Sequence, residues 1–79
     1  MRIDLFLKQT RLIKRRTIAK EFCERELVLI NGKVAKPSSN VNTGDIINIT
    51  FGEKKYDIKA IVDVVGKKEI AKYEAIDPR

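Results

Sequence analysis

The amino-acid sequence predicts an α+β domain in which two short N-terminal helices pack on a small bent antiparallel sheet of four to five strands. Two observations predict this class. Apolar residues recur at helical spacing up to about residue 25 and alternate with polar residues after it. The dipeptide Asn31-Gly32 then stands between two apolar runs and supplies the two positive-φ residues that a type I′ hairpin turn requires. With 79 residues, the chain is expected to form one small core.

The two helices are predicted from the spacing of their apolar residues. Residues 3–9 form the first helix, with Asp4 in its first turn, where a carboxylate meets the positive end of the helix dipole. A connection over residues 10–14 leads to a second helix over roughly residues 15–25. The buried faces of the two helices are expected to consist of Ile3, Phe6, Leu7, Ala19, Phe22 and Cys23.

The strands are predicted from alternation and from the turns that separate them. They are expected over residues 27–30, 33–35, 47–51 and 56–64. Pro37 indicates a loop after the hairpin, because proline cannot donate to a strand ladder. Residues 66–79 are mostly polar and are expected to form a short, loosely docked C-terminal tail outside a domain that spans residues 1–65.

The net charge of +6 lies entirely in the first twenty residues. That segment has seven Lys and Arg residues against the single acid Asp4, whereas residues 21–79 have ten of each sign. Apolar residues are interleaved with the basic ones, which predicts a folded surface rather than a disordered arm. From Lys8 to Lys20 there are six basic residues and no acid. This pattern favours a surface that binds a phosphate backbone over a solvated helix face.

The composition argues against an enzyme and against a metal site. The chain has no His and one Cys, so it lacks the usual zinc ligands and the commonest general base. It also lacks a Gly-rich phosphate loop and a nucleophile motif. We therefore expect no enzymatic activity, no cofactor and no bound metal, and we expect Cys23 to be a small core residue.

No apolar run approaches the roughly 20 residues that a membrane span needs. Asp4 and Lys8 interrupt the stretch that would be the apolar region of a signal peptide. We therefore expect a cytoplasmic protein that does not bind membranes.

Three segments together resemble the RNA-binding domain of ribosomal small-subunit protein S4. These are Arg16-Thr17-x-Ala19-Lys20, then Val28-x-Ile30-Asn31-Gly32-Lys33-Val34, then Pro37-Ser38 with Val41-x-x-Gly44-Asp45-x-Ile47. The resemblance covers about residues 1–51 and implies the α+β fold predicted above. The basic opening, residues 1–8 and 11–17, is similar to the small stand-alone members of the family that bind the large ribosomal subunit.

Two positions depart from the family pattern. Glu26 occupies the place where the family usually has Gly between the second helix and the first strand. A non-glycine residue in a left-handed cap costs roughly 1 kcal/mol, which favours another geometry at this helix end. Arg15 replaces the usual small N-cap residue, which weakens capping and adds charge.

The resemblance implies binding to 23S rRNA and to tRNA on a 50S subunit that holds an unreleased peptidyl-tRNA, in ribosome-associated quality control. We expect the protein to act as a monomer. The candidate RNA-binding residues are Arg2, Asp4, Lys8, Arg11, Lys14, Arg15, Arg16, Thr17, Lys20, Lys33 and Lys36. Asp4 is equally compatible with capping the first helix and with pairing to a nearby Arg. Thr17 is equally compatible with donating to phosphate and with a first-turn backbone bond.

Two other classes of function remain open from the sequence. One is the RNA-targeting module of an RNA-modifying enzyme of the pseudouridine-synthase type. The other is a protein-interaction or DNA-binding module, although the second helix offers few base-reading side chains. Because Phe6, Phe22 and Phe51 are predicted core residues, only Tyr56 and Tyr73 are available for base stacking. This favours structured RNA that is recognised by shape and backbone.

Overall fold

The computed structural model describes residues 1–76 and has two helices followed by five strands. The elements are α1 (Ile3–Gln9), α2 (Arg16–Glu24), β1 (Val28–Ile30), β2 (Lys33–Val34), β3 (Ile46–Phe51), β4 (Lys54–Val65) and β5 (Lys68–Ala75). The strands form one antiparallel sheet in the order β2-β1-β3-β4-β5. The predicted α+β fold is confirmed, with five strands at the upper end of the expected range.

One apolar cluster joins both helices to the inward face of the sheet. Its largest fully buried hydrophobic side chains are Phe6, Ile3, Leu7, Ile47, Ile49, Val28 and Val41. Complete burial of a side chain of this size contributes roughly 1.5–3 kcal/mol, so this cluster is the main source of stability. Ala19 and Cys23 are buried as predicted, whereas Phe22 and Phe51 are partly buried and pack against the cluster.

The β1–β2 hairpin has the predicted turn. Asn31 and Gly32 both adopt positive φ, at 51° and 83°. The Asn31 side chain also donates to the Asp45 carboxylate at 3.0 Å and accepts from the Ile46 N–H at 2.9 Å. Asn31 therefore forms the turn and fixes it to the start of β3.

The second helix ends in the left-handed conformation that the sequence disfavoured. Glu26 has φ 62°, its N–H donates to the Cys23 carbonyl at 3.0 Å, and the Leu27 N–H donates to the Phe22 carbonyl at 2.9 Å. These two bonds are those of a Schellman motif, which satisfies carbonyls at the helix end. The expectation of another geometry at this helix end is wrong. The two hydrogen bonds, together with the path of the chain into β1, hold Glu26 in the left-handed conformation.

Residues 66–76 do not form the loosely docked tail that was expected over residues 66–79. Lys68–Ala75 forms β5 and pairs with β4 along its whole length. The Gln9 side chain of α1 holds this strand, donating to the Glu69 carbonyl at 3.2 Å and accepting from the Ala71 N–H at 2.8 Å. Residues 77–79 lie outside the described residues. The assignment of residues 1–65 as the domain proper stays a prediction.

Candidate nucleic-acid interface

Asp4 connects two arginines at the N-terminal end of the domain. Its side chain is completely buried and accepts from Arg2 Nε at 3.2 Å and Arg2 Nη2 at 3.1 Å, one on each carboxylate oxygen. Arg16 Nε donates to Oδ2 at 3.3 Å, and the Leu5 N–H donates to Oδ1 at 2.7 Å. The two arginine side chains remain 47% and 43% exposed. The carboxylate therefore holds two guanidiniums close together at the surface and also satisfies a first-turn N–H of α1, so the structure shows both roles considered for Asp4.

The environment of Asp4 keeps it ionised at neutral pH. Burial removes water from the carboxylate and by itself would raise its pKa. The hydrogen bonds and charge of Arg16, with the Leu5 N–H and Arg2, outweigh this effect and hold the pKa of Asp4 below its ordinary value. Two cations and one anion leave the cluster with a net positive charge.

Arg2 is positioned by contacts with a distant loop. It forms an isolated antiparallel bridge with Asn40. The neighbouring Ile3 N–H donates to the Ser39 carbonyl at 2.8 Å, and the Val41 N–H donates to the Met1 carbonyl at 2.7 Å. No short motif in the sequence indicates this pairing, so the role of residues 39–41 could not be found from local pattern.

Arg16 is the first residue of α2, and Arg15 is its N-cap. Neither Arg15 nor any other side chain of residues 1–76 caps this helix end. Two exposed arginines therefore lie beside the free N–H groups of the first turn and the positive end of the helix dipole. This combination favours the binding of an anion. Thr17, in the same turn, is also exposed.

The remaining basic residues of the first twenty are all exposed: Lys8, Arg11, Lys14, Arg15 and Lys20. Arg11 follows α1 with φ 62°, a left-handed conformation that is unusual for a non-glycine residue. Its N–H donates to the Lys8 carbonyl at 3.1 Å. Arg11 lies in the connection between α1 and α2, and no carboxylate of residues 1–76 pairs with it. Its guanidinium is therefore available to a ligand.

Lys36 and Lys33 differ in their relation to this cluster. Both are exposed. The loop that begins at Lys36 is fixed to the start of α1, since the Asp4 N–H donates to the Pro37 carbonyl at 3.3 Å. Lys33 lies on the edge strand β2, opposite Ile30, and no hydrogen bond within residues 1–76 joins its side chain to the arginines. The structure therefore joins the loop that follows Lys36, but not the strand that carries Lys33, to the start of α1.

Cys23 has the properties of a core residue. It is 2% exposed, and burial, with the nearby charges of Asp4 and Glu24, raises the pKa of its thiol to about 11. A thiol in that state is a poor nucleophile. Within the described part of the chain there is no cluster of three metal-ligating side chains. None of the helices in residues 1–76 is long and apolar enough to cross a membrane.

The comparisons with known proteins agree with this architecture. Residues 1–47 match the family model of the S4 domain. The chain is 48% identical over 71 residues to the RQC P-site tRNA stabilizing factor of Halalkalibacterium halodurans, covering 87% of this chain and 81% of that protein. The Bacillus subtilis protein of the same name is 45% identical over 73 residues, covering 90% and 85%.

Heat shock protein 15 of Vibrio cholerae, whose solved structure is trimeric, has the same fold. It superimposes with a TM-score of 0.77 at 27% identity, over 96% of this chain and 81% of that one. The fold and sequence thus define an S4-domain protein. Within that class, the chain belongs to the family of RQC P-site tRNA stabilizing factors.

Proposed function

We propose that this protein binds 23S rRNA and tRNA on the large ribosomal subunit and stabilises peptidyl-tRNA on stalled 50S subunits during ribosome-associated quality control. The observation that carries the proposal is the Arg2–Asp4–Arg16 cluster, in which one buried carboxylate fixes two exposed guanidiniums. The names of its relatives, RQC P-site tRNA stabilizing factor, support the assignment.

The chemistry of the cluster suits a phosphate backbone. A guanidinium has five N–H donors, and Asp4 engages only Nε of Arg16, which leaves the terminal nitrogens of Arg16 free to donate to phosphate oxygens. Because Asp4 already fixes these side chains, less rotamer entropy is lost on binding. The exposed N-terminus of α2 adds backbone donors beside them.

The protein acts by binding and performs no reaction. A binding protein shifts an equilibrium only if it has different affinities for the two states. The favoured state is the 50S subunit with peptidyl-tRNA in the P site. The effect of the protein is therefore to slow the loss of peptidyl-tRNA from the stalled 50S subunit.

The two RNA contacts are adjacent on the domain. We place rRNA on the basic face of α1 and α2, and tRNA on the side of the hairpin and its loop, near Lys33 and Lys36. A module of this size buries roughly 600–1,000 Å² on nucleic acid, so both contacts fit only if they lie side by side. The bonds between the loop after β2 and the start of α1 support this arrangement.

The proposal is tested by titrating two preparations of 50S subunits, with and without peptidyl-tRNA, with the protein. We expect tighter binding to the particle that holds peptidyl-tRNA, and slower loss of peptidyl-tRNA when the protein is present. Equal affinity for the two particles would contradict the proposal, because a ligand with no preference cannot shift the equilibrium. Sedimentation of the free protein tests the expected monomer.

A further inference from the structure

An apolar groove lies between the α1–α2 connection and the end of the sheet, outside the arginine cluster. Its volume is about 640 Å³, within the size range of small-ligand pockets. Leu12 forms one wall, Tyr56 and Ile58 of β4 form the floor, and Tyr73 and Ile76 lie at the β5 side. The helices pack on this face of the sheet, but within residues 1–76 no part of the chain fills the groove.

Tyr56 and Tyr73 present aromatic surface to this groove. They are 44% and 41% exposed, although both lie on the face of the sheet that carries the buried Ile58 and Ala60. Tyr56 is held edge-on to Phe51, with ring centroids 5.5 Å apart, and Phe51 packs on Phe22 at 5.1 Å. Tyr56 is thus packed against a neighbouring ring at the surface, so it loses less side-chain freedom on contact with a ligand than an unpacked tyrosine would.

The groove opens towards the basic surface. A second concavity shares Leu12 and Tyr56 with it and is lined by Arg11 and Phe51. Arg11 is the left-handed residue described above, and Lys55 lines the other side of the groove. Among residues 1–76 one acid lines it, Asp57, which accepts a hydrogen bond from Asn48. Arg11 and Lys55 outnumber the single carboxylate of Asp57, so a ligand in the groove meets aromatic rings and a net positive charge.

We infer that this groove binds an unpaired nucleobase of the RNA whose backbone lies on the basic face. The inference rests on the proposed function and adds a stacking subsite to it. A nucleotide has the chemistry that the groove combines, because its phosphate pairs with Arg11 and its flat base stacks on tyrosine. An apolar peptide would leave Arg11 and Lys55 without a countercharge, whereas a nucleotide supplies one in its phosphate.

The first test compares two double variants in binding to 50S subunits. Changing Tyr56→Leu together with Tyr73→Leu keeps apolar bulk but removes both rings, and we expect binding to weaken about tenfold or more. Changing Tyr56→Phe together with Tyr73→Phe retains the rings, and we expect binding within about twofold of the wild type. Thermal unfolding of both variants shows whether the fold is retained.

The second test uses the otherwise unchanged chain and so does not depend on the folding of the leucine variant. A photoreactive phenylalanine derivative replaces Tyr73, and in a control chain it replaces Val65, which is 62% exposed at the far end of β4. We expect Tyr73 to crosslink to unpaired nucleotides on the 50S complex, and the RNA sequence then distinguishes rRNA from tRNA. We expect no such RNA crosslink from Val65.

The outcomes separate this inference from the proposed function. Undiminished binding of the leucine variant, or a crosslink from Tyr73 to a ribosomal protein or a second copy, would overturn the stacking subsite alone. Failure of the wild-type protein to bind 50S subunits would overturn both. Weaker binding of the leucine variant with an RNA crosslink would support the subsite.

Discussion

Arg16 Nε lies 3.3 Å from Oδ2 of Asp4, the oxygen that Arg2 Nη2 contacts at 3.1 Å. A single buried carboxylate oxygen therefore joins the beginning of the chain to the first residue of α2. Two guanidiniums repel each other, so their proximity depends on the charge of Asp4. The positions of the two arginines are consequently interdependent.

Arg16→Ala should weaken binding to 50S subunits by about 1.5–3 kcal/mol, because it removes a charged hydrogen-bond donor to phosphate. Alanine and arginine have similar helix propensities, so α2 should persist. The matched control is Arg25→Ala, which removes an exposed arginine at the opposite end of the same helix. Co-sedimentation measures both variants. An equal loss in the two would place the RNA-binding surface elsewhere.

The affinity for 50S subunits should decrease steeply with salt concentration. Neutralising roughly four to six phosphates predicts a slope of roughly −3 to −5 in a plot of log affinity against log salt concentration. Arg16→Ala should make the slope shallower by about one. Co-sedimentation across a salt series measures both slopes, and an affinity that does not change with salt would contradict an electrostatic interface.

Asp4→Asn should reduce the free energy of unfolding at about pH 7 by about 1–3 kcal/mol. The reason is that the substitution removes the buried negative charge that pairs with the guanidiniums of Arg2 and Arg16. The folded-state pKa of Asp4 is lowered, so its contribution is present above its unfolded pKa of about 3.9 and is lost as pH falls through the folded value. The stability difference between wild type and variant should therefore shrink below about pH 4. Urea unfolding at several pH values measures it, and a constant difference would disprove the linkage.

Glu26→Gly should raise the free energy of unfolding by roughly 0.5–1 kcal/mol, because glycine adopts the φ of 62° without strain. The control is Arg25→Gly. Arg25 has φ −87°, so glycine relieves nothing there and should give no gain. Denaturant unfolding compares the two. A gain at residue 25 equal to that at residue 26 would show that the left-handed conformation is not the cause.

The elements with strong local patterns could be predicted from the sequence. The helical spacing of Ile3, Phe6 and Leu7 gave α1 at its observed bounds, and Asn31-Gly32 gave the first hairpin. The last strand could not be found this way. Ile70, Tyr73 and Ile76 have helix-like spacing, and β5 buries only Ala71, so its position depends on pairing with β4 and on Gln9.

The composition of the candidate interface was predictable, but its geometry was not. The cluster of basic residues before residue 21 indicated the surface. The separation of Asp4 from Arg16 by twelve residues gives no local signal of their contact. The bridge between Arg2 and Asn40 joins positions 38 residues apart. Contacts of this kind arise from the packing of the whole domain and have no short motif.

The side-chain amide of Gln9 supplies β5 with one donor and one acceptor, the two bonds that a residue of a sixth strand would make. It supplies an acceptor for Ala71 and a donor for Glu69 on the side of β5 that faces away from β4. An open sheet edge is a template on which another chain can extend the sheet, and proteins commonly block such edges. Here the blocking group belongs to α1, the helix that carries Asp4 between the two arginines. A strand of another molecule that paired with β5 at Glu69 and Ala71 would first have to displace the Gln9 side chain, so the helix that positions Asp4 also protects this sheet edge from polymerisation.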